Sequence, residues 1–190
     1  MQSFDEIRDY AKNVLSEKRF LHTLSVAEEA KELALIWGED IDKAYLAALV
    51  HDIAKEMPFE ASKEILKKAG LQHNFSRPLI HGPVAEYMAR GKFGINDEDV
   101  LNAIRYHSTG RVGMSLLEKI IFVADFTEPR RLYQDSKEVR ELSRKDLDAA
   151  MLLQCDRCIK FLIDTGKVVN TLTVDLRNSL ITQQKRGKDK

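Results

Sequence analysis

Residues 43–55 read KAYLAALVHDIAK, and this stretch decides the fold. Its window Tyr45–Val50 is the most apolar part of the chain and predicts a buried helix over 41–55. His51 and Asp52 follow that window directly, and burying an imidazole and a carboxylate is costly unless something compensates them. A divalent cation would do so. Because neighbouring helical residues point about 100° apart, the cation would lie at the helix edge and take further ligands from other helices.

The rest of the chain repeats its apolar residues at spacings of three and four, the pattern of amphipathic helices. No run alternates with the period of two that is typical of a sheet. We therefore predict an all-α helical bundle, with one domain over residues 1–190 and a polar, frayed tail at 184–190. Besides 41–55, the predicted helices cover 4–15, 21–37, 60–69, 83–90, 98–107, 116–126, 135–142, 146–163 and 174–182.

Two further residues are candidate ligands of the cation. His22 lies near the start of an amphipathic helix, and Asp125 follows the apolar run KIIFVA, so a carboxylate again ends a buried helix. With His51 and Asp52 they form a mixed nitrogen and oxygen set. Such a set suits Fe, Mn, Co, Ni or Zn and leaves positions open for water or substrate. The alternative is that each aspartate pairs with a lysine at a helix end, as Lys55 would allow for Asp52.

Five ordered blocks of the sequence carry a family resemblance. They are RFLHTLSVAEEA (19–30), KAYLAALVHDIAK (43–55), HGPVA (81–85), YHSTGRVGMS (106–115) and LEKIIFVADFTEPRR (117–131). This series resembles the YqeK family, within the HD superfamily of metal-dependent phosphohydrolases, over most of the chain. The histidine–aspartate dipeptide alone is a weak signal, whereas the five blocks in this order are specific.

The resemblance implies an HD-domain helical bundle with a metal site in its core cleft. It implies hydrolysis of diadenosine tetraphosphate to two ADP, the reaction of a symmetrical bis(5′-nucleosyl)-tetraphosphatase, with iron as the metal. Carried over by position, the metal ligands are His22, His51, Asp52 and Asp125. One ion is expected, although histidines placed like His81 and His107 bind a second ion in some HD enzymes. The alternatives are another small nucleotide as substrate (a nucleoside monophosphate, a cyclic nucleotide or guanosine tetraphosphate) and a nucleotide sensor without catalysis.

Catalysis and phosphate binding are assigned to polar residues beside these ligands. Asp52 would orient or deprotonate the attacking water, and His81 and His107 would contact phosphate oxygens or protonate the leaving ADP. Lys55, one turn after Asp52, is the fourth predicted catalytic residue and adds positive charge. Arginines are included among the predicted phosphate-binding residues because a guanidinium group can bind two phosphate oxygens at once. The residues predicted to bind nucleotide or phosphate are Arg19, His22, His81, His107, Arg111, Asp125, Arg131, Asn170, Thr171 and Thr173.

Composition restricts the partners. Lys+Arg and Asp+Glu balance at 30 each, whereas a dedicated nucleic-acid binder normally carries an excess of basic residues. No apolar run has the length of a membrane span, and the acidic N-terminus is unlike a secretory signal. We therefore expect a cytoplasmic protein that binds a dinucleoside polyphosphate or a nucleoside diphosphate, with no nucleic acid and no membrane as partner. Pairing through an apolar face would make it a homodimer.

Two features are expected to be unrelated to the metal. Cys155 and Cys158 have the C-x-x-C spacing of redox and zinc sites, but they lie within a helical pattern without a second pair, so core packing is predicted. His73 lies in a polar connection and is predicted to be exposed.

Overall fold

The structure, a computed structural model, describes residues 2–71 and 76–188, with side chains as far as Lys185. The prediction for His73 falls outside this range. Within it the chain forms helices and no strand, so the all-α prediction is confirmed. The helices are α1 (Phe4–Val14), α2 (Glu17–Trp37), α3 (Ile41–Val50), α4 (Phe59–Lys68), α5 (His81–Phe93), α6 (Glu98–Tyr106), α7 (Leu116–Thr127), α8 (Gln134–Ser143), α9 (Leu147–Asp164) and α10 (Thr171–Lys188).

Helices α3 and α7 form the centre of the bundle. Alanine, leucine, isoleucine and valine occupy nearly every face of both helices, and helices that are apolar all round belong in a core. α2 packs against both of them, and α6 packs against α3, α5 and α7. α8 and α9 cover α7 from the other direction, and α10 packs on α9. The C-terminal ends of α3 and α7 therefore lie in the interior, together with the polar residues found there.

Helix α3 ends at Val50, so the prediction that it continues to Lys55 is wrong. Residues 51–56 form consecutive turns in which hydrogen bonds join residues three apart, such as Lys55 N–H to Asp52 O at 2.9 Å. Such bonds replace the α-helical pattern as soon as the apolar run ends. His51 and Asp52 consequently lie at the end of α3 rather than along its side.

Helix α10 is longer than predicted. It begins at Thr171 rather than at Val174 and continues to Lys188, so the segment predicted to be a frayed tail is helical as far as the structure describes it. The early start has a local cause, because Asn170 Oδ1 accepts the N–H of Leu172 at 2.9 Å and so satisfies a free donor of the first turn. The organisation into a single domain stays a prediction.

Helices α5 and α6 approach each other closely at Gly82. A Cβ atom at this position would lie 2.6 Å from the backbone oxygen of Arg105, closer than packed side chains allow. α5 begins at His81, two residues before the predicted start at Pro83. The glycine therefore lets the first turn of α5, which carries His81, lie against the end of α6, where His107 follows.

We expect Gly82→Ala to lower the free energy of unfolding by about 1–3 kcal/mol, the usual cost of forcing extra atoms into a packed interior. For a domain of this size the corresponding fall in Tm is roughly 2–12 °C. Gly91→Ala on the same helix is the matched control, because a Cβ atom there meets nothing within 4 Å. Thermal unfolding followed by circular dichroism measures both variants. Equal Tm values would contradict the close approach of α5 and α6.

Candidate metal centre

Four histidine and aspartate side chains from three parts of the chain meet in the core. His22 belongs to α2, His51 and Asp52 follow α3, and Asp125 lies in the last turn of α7. His22 Nε2 lies 3.0 Å from Asp125 Oδ1 and 3.8 Å from Asp52 Oδ2. His51 Nε2 lies 3.9 Å from Asp125 Oδ1 and 3.6 Å from Asp52 Oδ2. The structure thus brings together the four residues that were predicted as metal ligands.

His51 presents a free lone pair to this cluster. Its Nδ1 lies 2.6 Å from the carbonyl oxygen of Ala48, so Nδ1 carries the proton and donates it. Nε2 is buried and has no hydrogen-bond partner among the described residues. Burial lowers the pKa of His51 to about 4, so the ring is neutral near pH 7. A buried acceptor without a donor is costly, and a metal ion at this point would satisfy it.

Asp52 lies at the centre of the arrangement. Its Oδ2 lies 2.8 Å from Arg19 NH1 and faces His22. Its Oδ1 lies 3.2 Å from His81 Nε2 and 3.6 Å from His107 Nε2. Burial opposes ionisation of this carboxyl group, but charge interactions and hydrogen bonds with the surrounding imidazoles hold the pKa of Asp52 well below its usual range. The ionised carboxylate therefore joins two groups of side chains, one on each oxygen.

Glu128 binds the other ring nitrogen of His22, Nδ1. His22 Nδ1 lies 3.0 Å from Glu128 Oε1, so the ring donates to this buried carboxylate and turns Nε2 toward the cluster. Burial alone would raise the pKa of Glu128, but hydrogen bonds from His22, Ser25 and the backbone of Arg130 together outweigh it, and the pKa is lowered. A carboxylate in this place fixes the tautomer and orientation of a metal-binding histidine. The sequence analysis missed Glu128, although its position one turn after Asp125 was a usable signal.

A second group of side chains lies on the other side of the central carboxylate. The Nε2 atoms of His81 and His107 are 2.9 Å apart, and Lys55 Nζ lies 3.2 Å from His81 Nε2. His107 Nδ1 donates to the carbonyl oxygen of Ile104 at 2.7 Å, so His107 Nε2 accepts from His81. Burial lowers the pKa of His81 to about 4, so this ring is neutral and its Nε2–H is a donor. Ser108 Oγ, which the sequence analysis did not select, lies within 3.2 Å of both Nε2 atoms.

A cleft of about 660 Å³ opens beside His22, a volume within the range of about 300–1,000 Å³ that is usual for small-molecule sites. Arg19 and Arg131 border both the cleft and the cluster. Arg19 NH1 lies 2.8 Å from Asp52 Oδ2, and Arg131 NH2 lies 3.0 Å from Asp125 Oδ1. Two guanidinium groups therefore stand between the cleft and the candidate ligands.

Comparison with known proteins decides the family. Residues 19–130 match the HD domain, a range that contains all four clustered residues. The chain belongs to the HD domain family. A crystal structure of a protein from Clostridium acetobutylicum, described as a predicted HD superfamily hydrolase involved in NAD metabolism, superposes on it with a TM-score of 0.93. The two sequences are 44% identical, and the likeness covers 96% of this chain and 99% of that one.

Relatives of this HD-domain protein carry a more specific name. It is 42% identical to the "Bis(5'-nucleosyl)-tetraphosphatase, symmetrical" of Bacillus subtilis, over 83% of this chain and 87% of the relative. It is 34% identical to the protein of the same name from Staphylococcus aureus, over 98% of this chain and 99% of the relative. The resemblance found in the sequence blocks is therefore confirmed over nearly the full length of both chains.

Arg111 stands apart from the cluster of this HD-domain protein. Its Nε and NH2 atoms lie 2.6 and 2.7 Å from the two carboxylate oxygens of buried Glu118, and its guanidinium group lies over the Tyr106 ring. Glu118 also accepts the N–H of Ser115 at 2.9 Å, at the start of α7. An arginine held on both sides by a buried carboxylate is not free to bind phosphate. The pairing with Glu118 disfavours a role of Arg111 in phosphate binding, which stays a prediction, and it anchors the first turn of α7.

The residues predicted to contact the nucleobase or ribose lie at the start of α10. Thr173 Oγ1 donates to the carbonyl oxygen of Thr109 at 2.9 Å, which places this end of α10 against the turn that follows His107. Asn170 caps the helix, and Thr171 is exposed. Their contacts with a nucleotide stay a prediction, now located on the His107 side of the cluster.

Two further expectations concern other parts of the HD-domain chain. Cys155 is buried and Cys158 partly buried in α9, both are free thiols, and burial raises their pKa values to about 12 and about 11. A thiol held in its protonated form is a poor nucleophile and a poor metal ligand, so the core-packing prediction is confirmed. Among the residues described, no helix combines the length and the apolar character needed to cross a bilayer.

We expect Glu128→Gln to weaken metal binding and turnover by about 10- to 100-fold, the usual effect of removing the hydrogen-bonding partner of a metal-binding histidine. The amide cannot accept the His22 Nδ1 proton as strongly as the carboxylate does. Metal affinity is measured by calorimetric titration of metal-free protein. Glu32→Gln is the control, because Glu32 is exposed and pairs only with Arg144 across the surface. Identical metal affinities in the two variants would show that Glu128 does not orient His22.

Proposed function

We propose that this HD-domain protein hydrolyses diadenosine tetraphosphate symmetrically to two molecules of ADP. The observation that carries the proposal is a buried set of imidazoles and carboxylates beside a cleft bordered by arginines. A phosphoanhydride needs both features, because its oxygens repel a nucleophile until metal and cationic groups withdraw their charge. The names of the relatives from Bacillus subtilis and Staphylococcus aureus support the same activity.

The ligands proposed for the metal are His22, His51, Asp52 and Asp125. These residues fit a divalent ion, since His51 Nε2 is an unused lone pair and Glu128 orients the His22 ring. Two imidazoles and two carboxylates suit a transition ion, for which we propose iron, with Mn, Co, Ni or Zn as alternatives. One ion is proposed. A second would be held by His81 and His107, whose Nε2 atoms are 2.9 Å apart.

A divalent ion held by these residues supplies Lewis-acid activation of water and of the phosphoryl group. We assign to Asp52 the orientation of the attacking water and the acceptance of its proton. Its carboxylate is ionised, so it can accept a hydrogen bond from the water, as a general base must. Arg19 and Arg131 are assigned to phosphate oxygens, because their guanidinium groups lie at the mouth of the cleft.

We assign the binding of the leaving phosphate to the second group of side chains, His81, His107 and Lys55. His81 is neutral, and its Nε2–H is a donor for a phosphate oxygen. Lys55 adds an ammonium group 3.2 Å from the same nitrogen. His107 accepts from His81 in the structure and would keep that ring in place, or, once protonated at Nε2, would donate to a phosphate oxygen itself. These three residues neutralise the charge that develops on the departing ADP.

Two other functions are the alternatives. Hydrolysis of another nucleotide is retained as an alternative, because the relative from Clostridium acetobutylicum is described as involved in NAD metabolism. A sensor without catalysis is disfavoured, because such a protein would be expected to lack a ligand, whereas all four candidate ligands are present. The cytoplasmic location and the homodimer stay predictions.

The decisive experiment is a product analysis by anion-exchange chromatography after incubation of metal-loaded protein with diadenosine tetraphosphate. ADP as the sole product is the expected result. ATP together with AMP would mean attack at a different phosphate and would exclude symmetrical cleavage. If no product forms with any of the five metals, the same assay with NAD, guanosine tetraphosphate and cyclic nucleotides separates another substrate from a sensor.

A further inference from the structure

The loop between α7 and α8 carries two apolar side chains that have no place in the core. Leu132 and Tyr133 are 75% and 74% exposed, yet both line the cleft beside His22. Aromatic side chains such as tyrosine stack on nucleobases through the flat face of the ring. A tyrosine whose backbone is fixed at the start of a helix loses little conformational freedom when it does so. Tyr133 immediately precedes α8, so its backbone is anchored. The cleft therefore combines a stacking surface with access to the metal centre.

The charge available in this cleft is positive. Lys18, Arg19, Arg130 and Arg131 line it, against only two carboxylates. Both carboxylates are committed to other groups. Glu56 accepts the N–H and the hydroxyl of Ser16 at 2.6 and 2.7 Å, and Glu128 accepts from His22 and from the N–H of Arg130. Arg19 and Arg131 each spend one nitrogen on Asp52 and Asp125, so Lys18 and Arg130 supply the remaining positive charge for a chain of phosphates.

The cleft and the His107 group lie beside different oxygens of the Asp52 carboxylate. Asp52 Oδ2 faces Arg19, which lines the cleft, while Asp52 Oδ1 faces His81 and His107. The residues predicted to hold a nucleoside at the start of α10 lie on the second side. Symmetrical cleavage breaks the bond between the attacked phosphorus and the central bridging oxygen, so equal nucleoside diphosphate halves lie on the two sides of that bond. The second nucleoside must therefore extend away from α10, and the cleft is available on that side.

We propose that the cleft binds the second nucleoside diphosphate half of the substrate, with its base stacked on Tyr133 and against Leu132, and its phosphates on Lys18 and Arg130. This assignment rests on the proposed function, since only a substrate with two nucleosides needs it. It gives the enzyme a means of preferring a dinucleoside polyphosphate over a polyphosphate with a single nucleoside. The preference for a substrate with two nucleosides is therefore what the experiment measures.

The test compares kcat/KM for diadenosine tetraphosphate with kcat/KM for adenosine 5′-tetraphosphate, which has the same phosphates and one nucleoside. Tyr133→Ala is expected to lower the first value about tenfold, a typical effect of losing one base–aromatic stack, and to leave the second unchanged. Tyr133→Phe keeps the ring and is expected to restore the wild-type value. Tyr87→Ala is the control, because Tyr87 is also exposed but lies on α5 and does not line the cleft.

The outcomes of this test distinguish the assignment of the cleft from the proposed function. Wild-type protein that forms ADP, together with a Tyr133→Ala variant of unaltered kcat/KM for diadenosine tetraphosphate, overturns the assignment and leaves the proposed function intact. A Tyr133→Ala variant that loses activity on both substrates equally also overturns it, because the residue then supports the loop rather than a base. Wild-type protein that does not cleave diadenosine tetraphosphate overturns the proposed function and this assignment with it.

Discussion

Asp52→Asn is expected to reduce turnover of diadenosine tetraphosphate about a thousandfold or more, since Lewis-acid activation contributes several kcal/mol and each 1.36 kcal/mol is about a tenfold change in rate. The substitution keeps the shape of the side chain and removes its charge. It affects both sides of the site at once, because one oxygen of Asp52 faces Arg19 and His22 and the other faces His81 and His107.

The control for this variant is Asp148→Asn. Asp148 pairs with Lys119 at 2.7 Å at the surface of the bundle, and an exposed ion pair contributes about 0–1 kcal/mol to stability. Both variants are assayed by chromatography of ADP at saturating metal, and circular dichroism verifies that each is folded. A folded Asp52→Asn protein with turnover close to that of wild type would exclude Asp52 as a metal ligand and as the base.

Removal of metal with a chelator is expected to abolish ADP formation, and addition of one divalent ion is expected to restore it. The ion supplies the acidification of water that the arginine and lysine side chains of the site do not supply. Restoration with iron, manganese, cobalt, nickel and zinc in parallel ranks the candidates directly. Full activity of protein that is shown by elemental analysis to be metal-free would contradict the proposed mechanism.

Metal binding is also expected to stabilise the fold, which gives a readout that does not depend on turnover. An ion at about 100 times its Kd adds about 2.7 kcal/mol to the free energy of unfolding, and for a domain of this size that raises Tm by roughly 5–11 °C. The Asp52→Asn variant should show little of this shift, because one ligand has lost its charge. An equal shift in both proteins would mean that the ion binds elsewhere.

The sequence predicted the helices well because helix formation depends on local spacing. Apolar residues three and four apart located all ten helices of the described residues, eight of them to within four residues at each end; the exceptions are α3 and α10. The errors at these two helices have local causes that the spacing of apolar residues does not reveal. At α3, hydrogen bonds between residues three apart begin at the polar dipeptide, and at α10 the Asn170 side chain starts the helix early.

The site was predicted in part. His51 and Asp52 stood out because polar residues end an apolar run, and the order of the five blocks connected them with His22 and Asp125. The pairing of Arg111 was not foreseen, because a sequence shows that an arginine lies near a motif but not which carboxylate accepts its hydrogen bonds. In the structure that carboxylate is Glu118.

The sequence by itself therefore determined an all-α bundle, the burial of a histidine–aspartate pair at the end of its most apolar helix, and membership in a family recognisable from ordered blocks. The tertiary structure alone decided that residues about a hundred positions apart, such as His22 and Asp125, share one site. It also decided that Glu128 orients His22 and that Tyr133 stands beside a cationic cleft. The reason is physical: periodicity and capping act over a few residues, whereas partners of a buried polar group are chosen by how distant helices pack.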